Sequence, residues 1–354
     1  MIKRSALLAL VPTFLMIGGV ASAEVTSISF DGTKVRVNGS LVNDGSAASG
    51  LLMNARMIHA ATEDYNVGTH PNWAYPGGVW SAQRNVNEFM AALPTYASYG
   101  LDMVTIGMQG GHPRYHCTDD ANLRQRNFSM FAPDGTLRAD AKTRLGDAIR
   151  RADANNIIVA VQYFYRTVDK DLNGSAAILR AIDQATAFLK SLNTGNILIE
   201  IANESSDNNF NDPVLQVAQL DERIAQIKKI WPAALVTTSM SGGAVYPADL
   251  ARAVDWTSLH GGNRSPAKVT NKVNTLLELG KPVAVTEANW NLKVMNSVVN
   301  AGAGYGYFDQ GCEITGDYVG AARYRDGYQS MPVNYGVNTD MKRAFFTRVQ
   351  ELTG

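Results

Sequence analysis

The chain has 354 residues, with 32 basic side chains balancing 32 acidic ones. That balance leaves no electrostatic footprint for nucleic acid and no pull towards an anionic membrane, so the expected partner is a neutral or weakly charged small molecule or polymer. The length suits one large α/β domain with its own core.

Met1-Ile2-Lys3-Arg4 is a short basic start, Ala6 to Val20 is apolar, and Ala21-Ser22-Ala23 fits a small-x-small cleavage site. Residues 1–23 therefore read as a secretory signal peptide, and residues 24–354 as a single exported domain, secreted or periplasmic. The apolar run is interrupted by Pro12 and is too short for a membrane span. Export exposes the cysteines, Cys117 and Cys312, to oxidation, which leaves a disulfide and two free thiols equally open.

Ser27-Ile28-Ser29-Phe30, Asp31-Gly32-Thr33 and Lys34-Val35-Arg36-Val37 read as strand, turn and strand, a small N-terminal hairpin capping the domain. From Gly50 onward, short apolar strands alternate with helical periodicity. The strands are Leu51–Arg56, Met103–Gln109, Ile157–Tyr165, Ile197–Glu204, Leu235–Ser241, Trp256–His260, Val283–Glu287 and Gly304–Asp309. Helices are expected over Ala82–Tyr99, Ala139–Asn155, Ala176–Leu192, Val214–Ile230, Pro247–Ala253, Pro266–Leu279, Lys293–Asn300 and Thr339–Leu352. Eight βα units predict a (β/α)8 TIM barrel, with its active site at the C-terminal ends of the strands. Long connections follow strands one, two and eight and suit the walls of a pocket.

Two of these strands end on glutamate. Ile197-Leu198-Ile199-Glu200-Ile201-Ala202-Asn203-Glu204 closes the fourth, and Pro282-Val283-Ala284-Val285-Thr286-Glu287 the seventh. Alternation along a strand puts Glu200, Ala202 and Glu204 on one face and Asn203 on the other. A buried Glu200 needs a cation, and Arg56, on the same face of the first strand as Asn54, is the candidate partner. His260 ends strand six, while Tyr163 and Tyr165 share a face of strand three.

Ile201-Ala202-Asn203-Glu204 and Val285-Thr286-Glu287, at the ends of the fourth and seventh strands, resemble the retaining glycoside hydrolases of clan A, the cellulase-like barrels of the family 5 type. The resemblance implies that Glu204 is the general acid/base and Glu287 the nucleophile. It also implies that Asn203 holds the sugar 2-hydroxyl and that His260 stands near the nucleophile; with no His-x-His pair and no glycine-rich phosphate loop in register after a strand, no metal or organic cofactor is expected. Strand three ends in Gln162-Tyr163-Phe164-Tyr165 where the cellulases place histidine, and strand eight in Tyr307-Phe308-Asp309 where they place tryptophan. The resemblance is therefore to the clan and not to one family.

Retention needs one protonated carboxyl and one ionised carboxylate ~5–5.5 Å apart. Glu287 is expected to stay ionised, with the pKa of Glu204 raised by the facing charge. Asn54, Arg56, Tyr163, Tyr165 and Trp290 are further candidates for substrate contact, with Trp290 as a sugar platform; Trp73, Tyr75, Trp80 and Tyr115 offer the same flat faces. His112, His116, Asp119 and Asp120 follow strand two in no spacing that fits a zinc site. Arg114, Arg124 and Arg126 in that loop could read a carboxylate or sulfate on a glycan. A monomer acting on carbohydrate is expected. The competing readings are a barrel that binds carbohydrate without catalysis and a transglycosylase using the same pair.

Overall fold

The structure, a computed structural model, describes residues 25–63, 65, 75, 78–111, 128–207, 210–241, 244, 246–262, 264–288, 291–308, 327–329 and 331–354. The signal-peptide segment, the cysteines, Trp73, Trp290 and the His- and Arg-rich stretch after strand two lie outside these residues.

Strands β1 (Ile28–Asp31) and β2 (Lys34–Val37) pair antiparallel, and β3 (Ser40–Leu41) adds to the second of them. Gly32 turns the hairpin at φ +58°, a conformation that glycine reaches without a Cβ penalty. This is the expected hairpin, extended by one short strand.

The barrel is built from β4 (Met53–Arg56), β5 (Met103–Gly107), β6 (Ile158–Phe164), β7 (Ile197–Ala202), β8 (Val236–Thr237), β9 (Ser239–Met240), β10 (Thr257–Gly262), β11 (Val283–Ala288) and β12 (Gly304–Tyr307). They hydrogen-bond in parallel in the order β8-β7-β6-β5-β4-β12-β11-β10-β9. The two ends of that order are halves of one chain segment, parted at Thr238, so the nine segments make eight barrel strands and the chain itself completes the ring. Thr238 Oγ1 donates to the Ala202 carbonyl at 2.8 Å, tying the broken strand to its neighbour.

Helices α1 (Ala82–Ser98), α2 (Ala139–Asp153), α3 (Ser175–Leu192), α4 (Leu220–Ile230), α5 (Ala248–Ala253), α6 (Pro266–Leu277), α7 (Leu292–Asn300) and α8 (Asp340–Thr353) surround the ring. Ser81, Asn291 and Thr339 cap α1, α7 and α8 by accepting first-turn N–H groups on their side-chain oxygens. The fourth helix starts later than its apolar spacing predicts, because Gln216 is extended and residues 213–219 form two short 3-10 turns instead.

Side chains inside the barrel change character with height. At its base Leu52, Met103, Ile158, Leu198, Trp256 and Ala284 pack together with Val35 and Val42 of the hairpin region, closing the bottom with apolar surface. Burial of such side chains is worth about 1.5–3 kcal/mol each. Above them the lining turns to amides and hydroxyls that bond across the strands. Thr105 Oγ1 reaches Asn54 Oδ1 at 3.3 Å, and the Ser258 and Thr286 hydroxyls meet at 2.6 Å. Gly306 makes room here: a Cβ on it would lie 2.6 Å from the Thr286 carbonyl and 2.8 Å from Asn54 Nδ2. Charged groups come last, at the C-terminal mouth.

Candidate active site

At that mouth the ends of β4, β6, β7, β10 and β11 converge. Glu287 leaves β11 and Glu204 follows the end of β7; His260 on β10 stands between them, its Nδ1 3.2 Å from both Glu204 Oε1 and Glu287 Oε2. The ligand-type atoms of the three side chains all lie within 4.8 Å of one another. The sequence's two terminal glutamates and His260 are thus brought together.

Arg56 binds this cluster from below, and not in the way its strand position suggests. Its Nε lies 3.1 Å from Glu287 Oε2, and its Nη2 donates to Gln162 Oε1 at 2.8 Å and Asn203 Oδ1 at 2.7 Å. No ion pair joins Arg56 to Glu200. Glu200 instead accepts from the Ser239 hydroxyl at 2.7 Å, and that oxygen in turn accepts the backbone N–H of Glu204 at 2.9 Å. Burial pushes the Glu200 carboxyl above its ordinary value, against the lowering influence of the Arg56 and His260 charges. The expected pair does not form because the Arg56 guanidinium is already engaged by Glu287, Gln162 and Asn203.

Strict alternation also fails at the end of β7. The strand stops at Ala202, and Glu204 takes φ +51°, in the left-handed region. Asn203 and Glu204 therefore both point at the cluster, whereas a continued strand would place them on opposite faces.

Strand three divides its tyrosines. The Tyr163 hydroxyl meets Thr186 Oγ1 of α3 at 3.2 Å, buried between sheet and helix and away from the cleft. It cannot touch a substrate bound among the carboxylates. Tyr165 lies past the end of β6, its N–H held by Gln109 Oε1 at 3.2 Å. Burial first, and then the charge of Glu287, raise its hydroxyl pKa, which puts Tyr165 beside the carboxylates. Asn54 lies deeper, where its amide donates to the Thr286 carbonyl at 3.2 Å and positions the residue before Glu287. Tyr75 and Trp80 stack on each other 5.7 Å apart in the core and form no exposed platform.

Arg166 is the residue that sequence reasoning missed. It follows Tyr165, and its Nη1 lies 2.7 Å from Glu204 Oε2. Its signal was an arginine set directly after an apolar strand, at the end of the barrel where function collects.

The charges correct a further expectation. Burial alone would raise Glu204, but the hydrogen bond from His260 and the charges of His260, Arg166 and Arg56 outweigh it and hold the carboxyl down at about 2. Burial would likewise lower His260, and the Glu287 and Glu204 carboxylates together raise it instead. The two shifts run in opposite directions and make the imidazole, not Glu204, the more basic member of the pair. Glutamate, histidine and glutamate at this spacing are also ligand types for a metal ion. The guanidiniums of Arg56 and Arg166, bound to these same carboxylates, oppose another cation there.

No protein-family model matches the chain, and no curated protein matches it in sequence. Solved structures share its fold. A beta-mannanase from the blue mussel Mytilus edulis superposes with a TM-score of 0.54 at 14% identity, over 93% of this chain and 96% of its own. A beta-1,4-mannanase from the sea hare Aplysia kurodai gives 0.53 at 13% identity, over 87% of this chain and 99% of its own. A glycoside hydrolase family 5 protein from Bacteroides vulgatus gives 0.51 at 14% identity, over 80% of this chain and 62% of its own. What they have in common is the barrel. It is the (β/α)8 fold that the eight βα units predict. Among the described residues, no helix is long and apolar enough to cross a membrane.

Proposed function

We propose that this chain is an exported, single-domain glycoside hydrolase of clan A that cleaves a β-glycosidic bond by double displacement with retention. The observation that carries the reading is the pair of carboxylates from the fourth and seventh barrel strands, both 3.2 Å from one imidazole nitrogen. Their oxygens lie within 4.8 Å of each other. That favours retention over inversion, in which the carboxyls stand ~6.5–9.5 Å apart to admit water between them and the sugar.

In this reading Glu287 attacks the anomeric carbon. Arg56 holds its Oε2, which orients the carboxylate for attack. Glu204 protonates the departing glycosidic oxygen and later takes a proton from the water that opens the glycosyl-enzyme. His260 stores that proton 3.2 Å from Glu204 Oε1 and can pass it across. Asn203 has its Oδ1 engaged by Arg56, which leaves its amide N–H groups to meet the sugar 2-hydroxyl. Tyr165, beside the carboxylates, is the aromatic wall.

The test is a broad panel of plant, algal and microbial glycans offered to the wild type, Glu287→Ala and Glu204→Gln. Turnover that disappears in Glu287→Ala supports the hydrolase and gives its substrate. Glycan binding by folded protein with no turnover would favour the non-catalytic barrel, and transfer to a sugar acceptor would favour the transglycosylase.

A further inference from the structure

Both oxygens of Glu204 are occupied in the resting site, Oε1 by His260 Nδ1 at 3.2 Å and Oε2 by Arg166 Nη1 at 2.7 Å. A general acid has to carry its proton on one of these oxygens and present it to the leaving group. Each oxygen keeps a second lone pair, but an ion pair at 2.7 Å favours the ionised carboxylate, so opening a clamp makes Glu204 a better acid/base for turnover. Among the described residues, the groups facing Glu204 are His260 from β10, Arg56 from β4, Glu287 from β11, and Tyr165 and Arg166 after β6. His260 and Arg56 are fully enclosed, but the Arg166 side chain is 39% exposed at the rim. Arg166 is therefore the clamp that a substrate can open.

An uncharged sugar hydroxyl competes poorly for a guanidinium already bound to a carboxylate, since bonds between two ions are roughly twice as strong as neutral ones. An anionic oxygen competes on equal terms, and the planar fork of arginine suits a carboxylate or sulfate group. We propose that Arg166 is the specificity-determining residue of the site, and that it takes the carboxylate or sulfate of an acidic sugar on the leaving-group side of the scissile bond. Its transfer to the substrate removes a charge that holds Glu204 ionised, so the carboxyl can keep the proton that His260 passes to Oε1 until the leaving group takes it. The cation that holds Glu204 ionised at rest thus becomes the one that recognises the substrate. This inference rests on the hydrolase reading and narrows its substrate class to acidic glycans.

The experiment uses matched β-linked oligosaccharides: uronate-containing chains beside their carboxyl-reduced counterparts, and sulfated chains beside their desulfated ones. Wild type, Arg166→Gln and Arg166→Lys are compared by kcat/KM, with binding measured calorimetrically in the Glu287→Ala background. The expected result is a wild-type preference of about 10-fold or more for one acidic member over its neutral partner, in turnover or in binding. Arg166→Gln should erase that preference and Arg166→Lys restore part of it, and the anion preferred identifies carboxylate or sulfate. Preference for the neutral partners, equal loss on both members of each pair in Arg166→Gln, or no discrimination in either turnover or binding would overturn the inference. Failure of the hydrolase reading is seen separately, as turnover that survives Glu287→Ala whatever Arg166 does.

Discussion

Replacing His260 with glutamine takes a positive charge from between two carboxylates while keeping a polar side chain of similar reach. The wild-type imidazole lies 3.2 Å from each carboxylate and is fully buried. Without it, oxygens at most 4.8 Å apart face each other with no cation between them, Arg56 and Arg166 each holding only one of the two carboxylates. At an effective dielectric constant of about 20 their repulsion is about 3 kcal/mol, equivalent to about 2 pKa units on one member of the pair. The acid limb of the activity profile should move up by about 2 units in His260→Gln, because the carboxylates then hold protons more tightly. Stability carries an independent signature. His260 has a raised pKa in the folded protein, so its contribution is fully present below its ordinary 6.5 and is lost as pH rises through the raised value. Glu204 is depressed to about 2, and its contribution is present above its ordinary 4.5 and lost as pH falls towards that value. Thermal unfolding scanned from pH 3 to 9 should therefore show wild-type stability declining above about pH 6.5, a decline absent from His260→Gln. Superimposable pH profiles for the two proteins, in activity and in unfolding, would refute a protonated His260 shared by the carboxylates.

Other consequences can be checked by ordinary mutagenesis. Arg56→Met strands Glu287, Gln162 and Asn203 without their common donor; urea unfolding should show a loss of about 3–5 kcal/mol, with activity falling at least about 100-fold. Glu200→Gln should remove a pH dependence of stability. A glutamate raised by burial stabilises the fold at low pH and loses that contribution as pH climbs above its ordinary 4.5, so the variant should unfold with a flatter profile there. Gly306→Ala forces a methyl to 2.6 Å from the Thr286 carbonyl, and equilibrium unfolding should report a cost of about 1–3 kcal/mol with no charge altered.

Much of the fold can be read in the sequence because buried parallel strands are continuous apolar runs and helices keep their three- and four-residue spacing. The eight units, the hairpin and the two strand-end glutamates all follow from those periods. What periodicity does not carry is the behaviour of backbone where a strand ends. Alternation assigned Asn203 to the wrong face because the left-handed turn at Glu204 leaves no mark in the composition. It also aligned Tyr163 with Tyr165, although β6 ends between them and only Tyr165 reaches the carboxylates. Electrostatic partners were harder still. Arg56 was given to Glu200 because both are charged and inward, but the choice between Glu200 and Glu287 depends on height along the barrel axis. Arg166 is not legible in the sequence because its partner follows the next strand, and its charge is one of the causes, after His260, of the depressed pKa of Glu204. Thr238, which splits the fifth strand, looks in sequence like any other β-branched strand residue.

The central claim is that Glu204 and Glu287 cleave a glycosidic bond through a covalent intermediate. Proton NMR of the anomeric signal in the first minutes of hydrolysis, with the glycan that the wild type cleaves and Glu287→Ala leaves intact, tests it most directly. The account predicts that the first-formed product keeps the anomeric configuration of the bond cleaved and mutarotates only afterwards. A first-formed product of the opposite configuration would contradict it.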